Sequence, residues 1–527
     1  MTVSTFVRVR LHPDGTPSCA GLKHFRFGHV LARTDSDNPD GVFGEWTWDG
    51  ETLRARSGRY AIAPLYYTRL DDGVMLAPSI ADLIALGASP ALDFDALSVL
   101  LRFGQPLEED TPFAAIRALP PSGRLTWRAG VLKVDGHYPR IKPQSISRPV
   151  AIDSYIDLFR AAIMRRPSNG RLILPLSGGR DSRHIFLELC RQGRKPEACV
   201  TSRGYVDASM AGEAALAARL SADFGVPHHV IDAPADRVEA KISVIIQANL
   251  GTLEHGWALS LANFLEARAD VTFDGLAGDV LSGSRFFSRK RLDALAALDA
   301  PRFARSVFVT DEYHLGMTIA PWLYREIPPE RAMARLAKAM PRHLAAANPL
   351  SSFYFWSRTR RNVAQYPYGL LRGVRTVYAP FLDWDIYDLL ASLDPTLTET
   401  RMLHTDAIAR AYPEARNIPY SEGWSDSDDG AVARHHLGNI ESLARRLIKA
   451  APGSFVNRRA LLPRLAWHAM ARSARTAAPA YLPLACYLLA LEQVTRGEFG
   501  DLRRAGATIP AVFGLTNPLF RALSALA

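Results

Sequence analysis

Six consecutive residues in the first half of the chain combine the groups that bind a magnesium polyphosphate. In "RLILPLSGGRDSRHIFLELC" an apolar run is followed by Ser177, two glycines, Asp181 and Ser182, and then by a helical pattern. Gly178 and Gly179 permit a tight turn and leave N–H groups open to an anion, and the helix start adds further N–H donors. A carboxylate would repel a bare phosphate, so Asp181 indicates a Mg²⁺ held between carboxylate and phosphate oxygens.

The same elbow also has a purely structural interpretation. A glycine-rich strand-to-helix turn with a serine N-cap needs no ligand. The full pattern of two hydroxyls, two glycines and one carboxylate between an apolar strand and a helix favours the phosphate site. It is not a Walker loop, because the G-x-x-x-x-G-K-[ST] pattern is absent.

The elements around the elbow predict a parallel α/β sheet. From residue 151, apolar strand runs ("LILPL", "EACVTS", "HHVIDA", "ADVTFDG") alternate with helical patterns, and beyond about 285 the chain is typical of helices. Ligands of such sheets bind beyond the carboxyl ends of the strands, where the elbow lies. Residues 1–140 instead predict strands, hairpins at Asp49-Gly50 and Asp72-Gly73, and a helix in "LDFDALSVLLRFG". The proline-containing stretch 138–150 is the predicted linker.

The elbow and four further segments resemble the asparagine synthetase family. S-G-G-x-D-S is similar to its pyrophosphate loop, "FDGLAGDVLSG" to its second ATP-site motif and "YAPFLDWDIYDLLASLDP" to its P-F-L-D segment. "GVFGEWTWDGETLRARSGRYAIAPLYYTRLDDGVMLAPSIADLIALG" and "EEDTPFAAIRALPPSGRL" resemble parts of its N-terminal domain. The resemblance implies an α/β protein with two domains: a truncated, degenerate glutaminase-like domain of the Ntn-hydrolase type over 1–140, and an adenine-nucleotide α-hydrolase-like (PP-loop) synthetase domain over 151–527 with a helical C-terminal part.

The resemblance also implies roles for individual residues. Asp279 would be the second Mg²⁺ ligand, paired with the elbow carboxylate, and these two acids are the expected catalytic residues. Asp274 and Gly275 would approach the ribose or α-phosphate through their backbone, and Thr201 or Ser202 would contact adenine. The elbow residues that would hold the pyrophosphate are Ser177, Gly178, Gly179, Asp181 and Ser182. The expected cofactors are therefore ATP and Mg²⁺.

The N-terminal region departs from the family. Glutamine-dependent members begin with Met-Cys, whereas residue 2 is Thr2 and the first cysteine is Cys19. Only about forty residues precede "FGEWTWD", so much of a glutamine pocket is expected to be missing. We therefore expect no glutaminase activity, and a relic domain or one reused to bind a substrate or partner.

The synthetase region departs from the family as well. Leu276 stands where the family often has Glu or Tyr, and Val280 replaces a Glu. The lysine expected near "PEARNIPYSEG" is absent, and Arg416 is the nearest cation. Arg180 and Arg183 could supply compensating charge, or could be solvated residues of a helix surface.

Composition limits the class of protein. The formal net charge of +10 over 527 residues suits a nucleotide, an acidic substrate or nucleic acid, and equally a basic protein with no such partner. The basic segment 434–475 could seat an acidic peptide or nucleic acid, or be a solvated helix face. No signal peptide, membrane span, zinc site or disulfide framework is predicted, which favours a cytoplasmic location. The four scattered cysteines are Cys19, Cys190, Cys199 and Cys486.

The resemblance, together with the departures from the family, implies an ATP-dependent ligase that forms an amide bond. A carboxylate is adenylated with release of pyrophosphate, and an amine carried by a substrate displaces AMP, as in lactam synthetases and lasso-peptide cyclases. Two alternatives stay open: an ammonia-dependent asparagine synthetase-like enzyme, and a catalytically weakened ATP-binding partner protein in a biosynthetic complex. The expected partners are a small-molecule or peptide carboxylate and amine, together with biosynthetic proteins; membrane and nucleic acid are not expected.

Overall fold

The computed structural model describes residues 5–33, 39–203, 208–253, 255–283, 286–398, 400, 402–421, 429–450, 453–470 and 480–498. Up to residue 135 this described chain forms ten strands and two short helices. The strands are β1 (Val7–Leu11), β2 (Pro17–Gly21), β3 (His24–Leu31), β4 (Asp40–Trp48), β5 (Thr52–Ser57), β6 (Tyr66–Leu70), β7 (Gly73–Ala77), β8 (Ile116–Ala118), β9 (Arg124–Arg128) and β10 (Val131–Asp135). The helices are α1 (Ile80–Ala85) and α2 (Phe94–Phe103).

These strands form two antiparallel sheets, of order β2-β1-β7-β6-β8 and β10-β9-β5-β4-β3. Burial alternates along the strands: in β9 Leu125 and Trp127 are buried, and the other three residues are exposed. This period of two places one face of the sheet in a core. Trp46 and Trp127 of one sheet pack there with Val74 and Leu76 of the other.

The sequence predictions for this region are confirmed. β4 and β5 form a hairpin around Asp49-Gly50, and β6 and β7 form another around Asp72. The predicted helix is α2, which begins after Asp93, whose side chain accepts a hydrogen bond from Ala96 N–H. It ends at Gly104, whose φ of 84° is a left-handed conformation that favours glycine.

From residue 148 to 283 strands and helices alternate, as the sequence predicts. The elements are α3 (Arg148–Met164), β11 (Ile173–Pro175), α4 (Asp181–Arg191), β12 (Ala198–Arg203), α5 (Ala208–Asp223), β13 (His228–Asp232), α6 (Arg237–Gln247), α7 (Ala258–Arg268), β14 (Val271–Phe273) and α8 (Gly278–Ser282). A further strand, β15 (Thr376–Tyr378), lies in the region that the sequence predicts to be helical. Three residues are too few for any periodicity to show.

The five strands β11–β15 are parallel, in the order β13-β12-β11-β14-β15. β11, β12 and β13 pair in parallel, as do β14 and β15. Leu172 and Val271 form a parallel bridge between the two groups, and Thr272 Oγ1 donates to Ile173 O at 2.8 Å. Strand order therefore reverses between β11 and β14. In open α/β sheets, ligands bind beyond the carboxyl ends of the strands at this switch point.

Beyond β14 the described chain is mostly helical. The α-helices are α9 (Arg289–Ala296), α10 (Ala300–Val307), α11 (Glu312–Thr318), α12 (Pro321–Glu326), α13 (Pro329–Ala339), α14 (Pro349–Tyr354), α15 (Trp384–Ser392), α16 (Pro395–Thr398), α17 (Met402–Ala411), α18 (Asp429–Lys449), α19 (Arg458–Met470) and α20 (Leu482–Thr495). Two segments, Phe355–Val363 and Tyr366–Leu370, are π-helical. Within the described residues, no helix has the length and apolarity needed to cross a bilayer.

The two halves of the chain share buried side chains. Tyr60 and Phe103 from the N-terminal half belong to the same apolar cluster as Tyr155 and Phe355 from the C-terminal half. Buried arginines of the π-helical segment also cross the junction: Arg361 donates to Asp110 O at 2.8 Å. The proposed division at residues 140–151 coincides with the stretch between β10 and α3, but packing across it is continuous.

Candidate active site

The elbow after β11 is shaped by its own serines. Ser177 N–H donates to Ser182 Oγ at 3.1 Å, and the two Oγ atoms are 2.9 Å apart. Gly179 N–H donates to Ser177 Oγ at 3.2 Å. α4 begins immediately afterwards at Asp181, so the unpaired N–H groups of its first turn lie at the elbow. The structure thus brings the five sequence-predicted elbow residues into one partly exposed loop.

The loop after β14 faces the elbow across the switch point. Asp274 N–H donates to Tyr378 O at 2.7 Å, and Asp274 Oδ1 accepts from Leu276 N–H at 2.8 Å. These bonds tie the loop to β15 and fold it back on itself. Ala277 adopts a left-handed φ of 78° just before α8. This turn places Asp279 in the first turn of α8.

Two glycines of this loop make room for the elbow carboxylate. A Cβ at Gly275 would lie 2.6 Å from Asp181 Cβ, and a Cβ at Gly278 would lie 2.5 Å from Asp181 Oδ1. Neither distance is possible for real atoms without a displacement. Asp181 therefore lies directly against the β14 loop, and the predicted partners from the two strand ends come together.

Three carboxylates meet in this cleft. Burial raises the pKa of Asp181 well above its usual range, and the nearby charges of Asp279 and Asp274 raise it further. A hydrogen bond from the Asp279 N–H and the charge of Arg180 act in the opposite direction. Burial raises the pKa of Asp274 to about 6. A buried acid cluster of this kind is stabilised by a cation.

The donor set fits a Mg²⁺ that is shared with an anionic ligand. Mg²⁺ takes one or two protein carboxylates and fills its remaining positions with water and phosphate oxygens. Asp181 and Asp279 could supply the carboxylates, and the Asp181 side chain is 25% exposed and thus open to the cleft. Within the described ranges no group of three or more His, Cys, Asp or Glu side chains could hold a metal by itself.

Arg180 and Arg183 are not solvated residues of a helix surface. Arg183 is buried and donates to Ile418 O at 2.7 Å and to Pro419 O at 2.6 Å. Arg180 is partly buried and donates through Nε to Thr405 Oγ1 at 2.7 Å. Both guanidinium groups lie over the ring of Tyr420, at 4.6 Å for Arg180 and 4.1 Å for Arg183. The two arginines place positive charge beside the elbow and attach the segment 418–421 to it.

A buried histidine pair lies beneath Asp181. His404 Nδ1 is 3.5 Å from Asp181 Oδ1 and 2.9 Å from Ser282 Oγ, and its Nε2 is 3.1 Å from His184 Nδ1. Burial, assisted by Arg180, lowers the pKa of His404 to about 3, so this ring is neutral. Sequence reasoning missed these histidines, because 220 residues separate them in the chain and neither belongs to a recognisable motif.

The predicted adenine contacts differ in their environment. Thr201 is buried, and its hydroxyl is engaged with Leu176 O at 2.5 Å and His228 Nε2 at 2.8 Å. Ser202 Oγ is also buried but has no hydrogen-bond partner among the described residues. Of the two, Ser202 retains an unused hydroxyl for a ligand. Arg416 is exposed and donates to Ala409 O at 3.2 Å.

Thr2 and Cys19 are the residues on which the expected lack of glutaminase activity depends. Thr2 lies outside the described residues. Cys19 lies in β2, and burial raises the pKa of its thiol. A raised thiol pKa disfavours the thiolate that a nucleophile requires.

Several arginines in the described part of the basic segment are engaged with their own chain. Arg446 pairs with Glu239, and Arg445 pairs with Glu441 at 2.9 Å. Arg458 donates to Ala450 O at 2.5 Å. Residues 471–479 at its end lie outside the described part of the chain.

Comparison with known proteins adds little to the geometry. No protein-family model matches the chain, and no curated protein sequence matches it. Among solved structures, it is similar to one described as the structure of the allosteric regulatory enzyme of purine biosynthesis, with 10% sequence identity and a TM-score of 0.15. The match covers 38% of this chain and 49% of that one, so the chain spans about half the length of that structure. A similarity this low carries no argument about fold or function.

Proposed function

We propose that the protein is an AMP-forming carbon–nitrogen ligase that adenylates a carboxylate with ATP and couples it to an amine. The observation that supports this most is the meeting of the Ser-Gly-Gly-Arg-Asp-Ser elbow with Asp274 and Asp279 at the switch point of the parallel sheet. We assign this second half of the chain to the PP-loop synthetase class, and the N-terminal half to a degenerate glutaminase-like domain. The assignment of family rests on the sequence segments.

In this proposal the elbow binds the pyrophosphate of ATP. The N–H groups of Gly178 and of the first turn of α4 donate to phosphate oxygens, and the Ser177 and Ser182 hydroxyls add hydrogen bonds. Arg180 supplies charge that offsets the developing negative charge of the leaving pyrophosphate. Asp181 and Asp279 would hold Mg²⁺, which when bound neutralises phosphate charge and orients the polyphosphate.

The reaction has two balanced steps. A carboxylate oxygen of the substrate bonds to the α-phosphorus of ATP, and the bond to the β-phosphate oxygen breaks, so pyrophosphate leaves with that electron pair. The amine nitrogen then bonds to the acyl carbon, AMP leaves, and the amine loses one proton to solvent. The protein contributes mainly by placing the carboxylate in line with the α-phosphate.

A weakened, non-catalytic relative is the second candidate. It is favoured by the segment 402–421, where no lysine stands near the elbow and Arg416 bonds to Ala409 O rather than approaching the cleft. The third candidate, ammonia-dependent asparagine synthesis, requires only aspartate, ammonium and ATP.

The nucleotide product separates these candidates. Purified protein is incubated with Mg-ATP and with pools of carboxylates, amines and peptides, and AMP and pyrophosphate are quantified. The proposal predicts AMP that depends on one pool. Turnover with aspartate and ammonium salts would indicate the asparagine synthetase-like enzyme. ATP that binds but is never split would indicate the partner protein and would reject the ligase.

A further inference from the structure

A cavity borders α8 and has no elbow residue in its lining. It has a volume of about 680 Å³, which is within the range of pockets that hold drug-sized ligands. Its wall is formed in part by linker residues 136–141, by α8, α14 and α15, and by the start of the first π-helical segment. Its apolar lining residues include Ile141, Leu281, Phe355, Trp356, Tyr387 and Leu390.

The aromatic wall of this cavity is held rigidly. The rings of Tyr138 and Trp356 meet edge to face with centroids 4.7 Å apart, and those of Phe355 and Tyr387 are 4.8 Å apart. The guanidinium of Arg342 lies 3.8 Å from the Tyr138 ring centroid. A wall fixed by ring contacts is ready to receive an apolar group without reordering.

Several polar groups around the cavity are engaged with the protein. Arg342 pairs with Glu108 at 2.5 Å, and Ser352 Oγ lies 2.9 Å from His343 Nδ1. Asn348 Oδ1 accepts from Ser351 N–H at 3.0 Å as the cap of α14. An aliphatic or aromatic side chain would find complementary surface on the aromatic wall.

The cavity lies close to the acid cluster. Leu281 lines the cavity and Asp279 faces the elbow region, and they are two residues apart on α8, about 3 Å along the helix axis. Ser282, the next residue, contacts His404 beside Asp181. A substrate long enough to pass the end of α8 can reach both places.

We propose that this cavity binds a large aliphatic or aromatic side chain of the substrate whose carboxylate or amine reacts at the elbow. The inference rests on the proposed function and specifies its substrate class: a molecule larger than a single small amino acid, with an apolar group at some distance from the reacting atoms. The preferred substrates are therefore peptides or peptide-like molecules rather than aspartate and ammonia.

Binding is tested first without any turnover. Saturation-transfer NMR of the full chain with N-acetyl-phenylalaninamide, and with N-acetyl-glycinamide as reference, reports on apolar binding directly. Ala391→Phe fills the cavity from α15 and Ala346→Phe fills it from the loop before α14, so a folding defect in one leaves the other informative. Ala296→Phe, on the exposed surface of α9, is the matched control for added aromatic area.

The expected result is a phenyl signal in wild type and Ala296→Phe that falls at least ~5-fold in both filled variants. Equal signals in all four proteins, or none in wild type, would overturn the inference.

Turnover is tested separately with three pools of short peptides. Each peptide has a free amino terminus and one carboxylate side chain, and the remaining positions are Gly, Leu or Phe. AMP formation should rise ~10-fold or more from the Gly pool to the Leu or Phe pool, and the filled variants should lose this rise. If all pools give equal AMP formation, the proposed role of the cavity is rejected and the proposed ligase function stands. If the filled variants lose the phenyl signal but no pool yields AMP, the proposal that the cavity binds an apolar side chain stands and the proposed ligase function is rejected.

Discussion

At the scale of single residues, the structure explains why the elbow carries a carboxylate. Asp181 lies against Gly275 and Gly278, and burial, together with the charges of Asp279 and Asp274, raises its pKa. The charges of Asp279 and Asp274 disfavour the ionised form of Asp181, and a structural turn has no need of this cluster. A cation bound with an anionic ligand removes the repulsion, so these residues make chemical sense as one site.

Asp181→Asn tests the metal assignment. We expect AMP formation to fall at least ~100-fold, because the shared cation loses one carboxylate. The metal-free variant should melt at the same temperature as wild type or higher, because the repulsion is relieved, and Mg-ATP should raise its melting temperature less than that of wild type. Asp270→Asn, at the opposite end of β14, is the control and should retain activity within about twofold. An unchanged AMP rate in Asp181→Asn would reject the metal role.

Gly278→Ala tests the close approach of the two loops. The added Cβ would lie 2.5 Å from Asp181 Oδ1, so the carboxylate has to move. We expect AMP formation to fall at least ~10-fold, because small displacements at a reacting site are costly. Gly438→Ala in α18 has open space around it and should raise stability by about 0.5–1 kcal/mol with unchanged activity. Full activity of Gly278→Ala would contradict the described contact.

At the scale of elements, the site depends on which strands are neighbours. The sequence predicted β11–β14, and the helices α4 and α5 between the first three of these strands, from apolar runs and periodicity. It did not predict β15, because three residues within a helical region show no alternation. Nor could it predict that α17 brings His404 beneath Asp181, because contacts between distant segments leave no local pattern. Arg180 and Arg183 illustrate the same limit: the sequence left two interpretations open, and packing against Tyr420 decided between them.

Arg183→Lys tests the attachment of the segment 418–421 to the elbow. Lysine cannot reproduce the two-carbonyl contact of the guanidinium with Ile418 O and Pro419 O. We expect the KM for ATP to rise ~10-fold with a smaller change in kcat, measured from initial rates of AMP formation. Arg191→Lys on the same helix, where the arginine pairs with Glu188 at 2.7 Å, should change KM by less than about threefold. Equal effects of the two variants would show that the attachment does not support ATP binding.

At the scale of the whole molecule, the N-terminal half is not an independent appendage. Two of its buried aromatic residues share a core with the second half of the chain, and charged groups are buried where the halves meet. Asp40 from β4 is buried near Asp383, which bonds to buried Arg166 at 2.9 Å. Removing the N-terminal half would expose this core.

Asp40→Asn tests the junction through its pH dependence. Burial and the neighbouring Asp383 raise the pKa of Asp40 to about 6. The folded chain therefore holds this proton more tightly than the unfolded chain, and stability falls as pH rises from about 4 through about 6. The variant removes this loss, so its melting temperature relative to wild type should increase between about pH 4.5 and pH 7.5. If the difference in melting temperature between Asp40→Asn and wild type is the same at every pH, the raised pKa of Asp40 is contradicted.

The transfer of a carboxylate oxygen to AMP tests the central claim most directly. Peptide and small-molecule pools are labelled with ¹⁸O in their carboxylates, incubated with the protein and Mg-ATP, and the AMP is analysed by mass spectrometry. Attack of the carboxylate on the α-phosphorus, followed by capture of the acyl group by an amine, predicts AMP that carries one ¹⁸O atom. AMP without label, or ADP as the only product, would contradict carboxylate adenylation at this site.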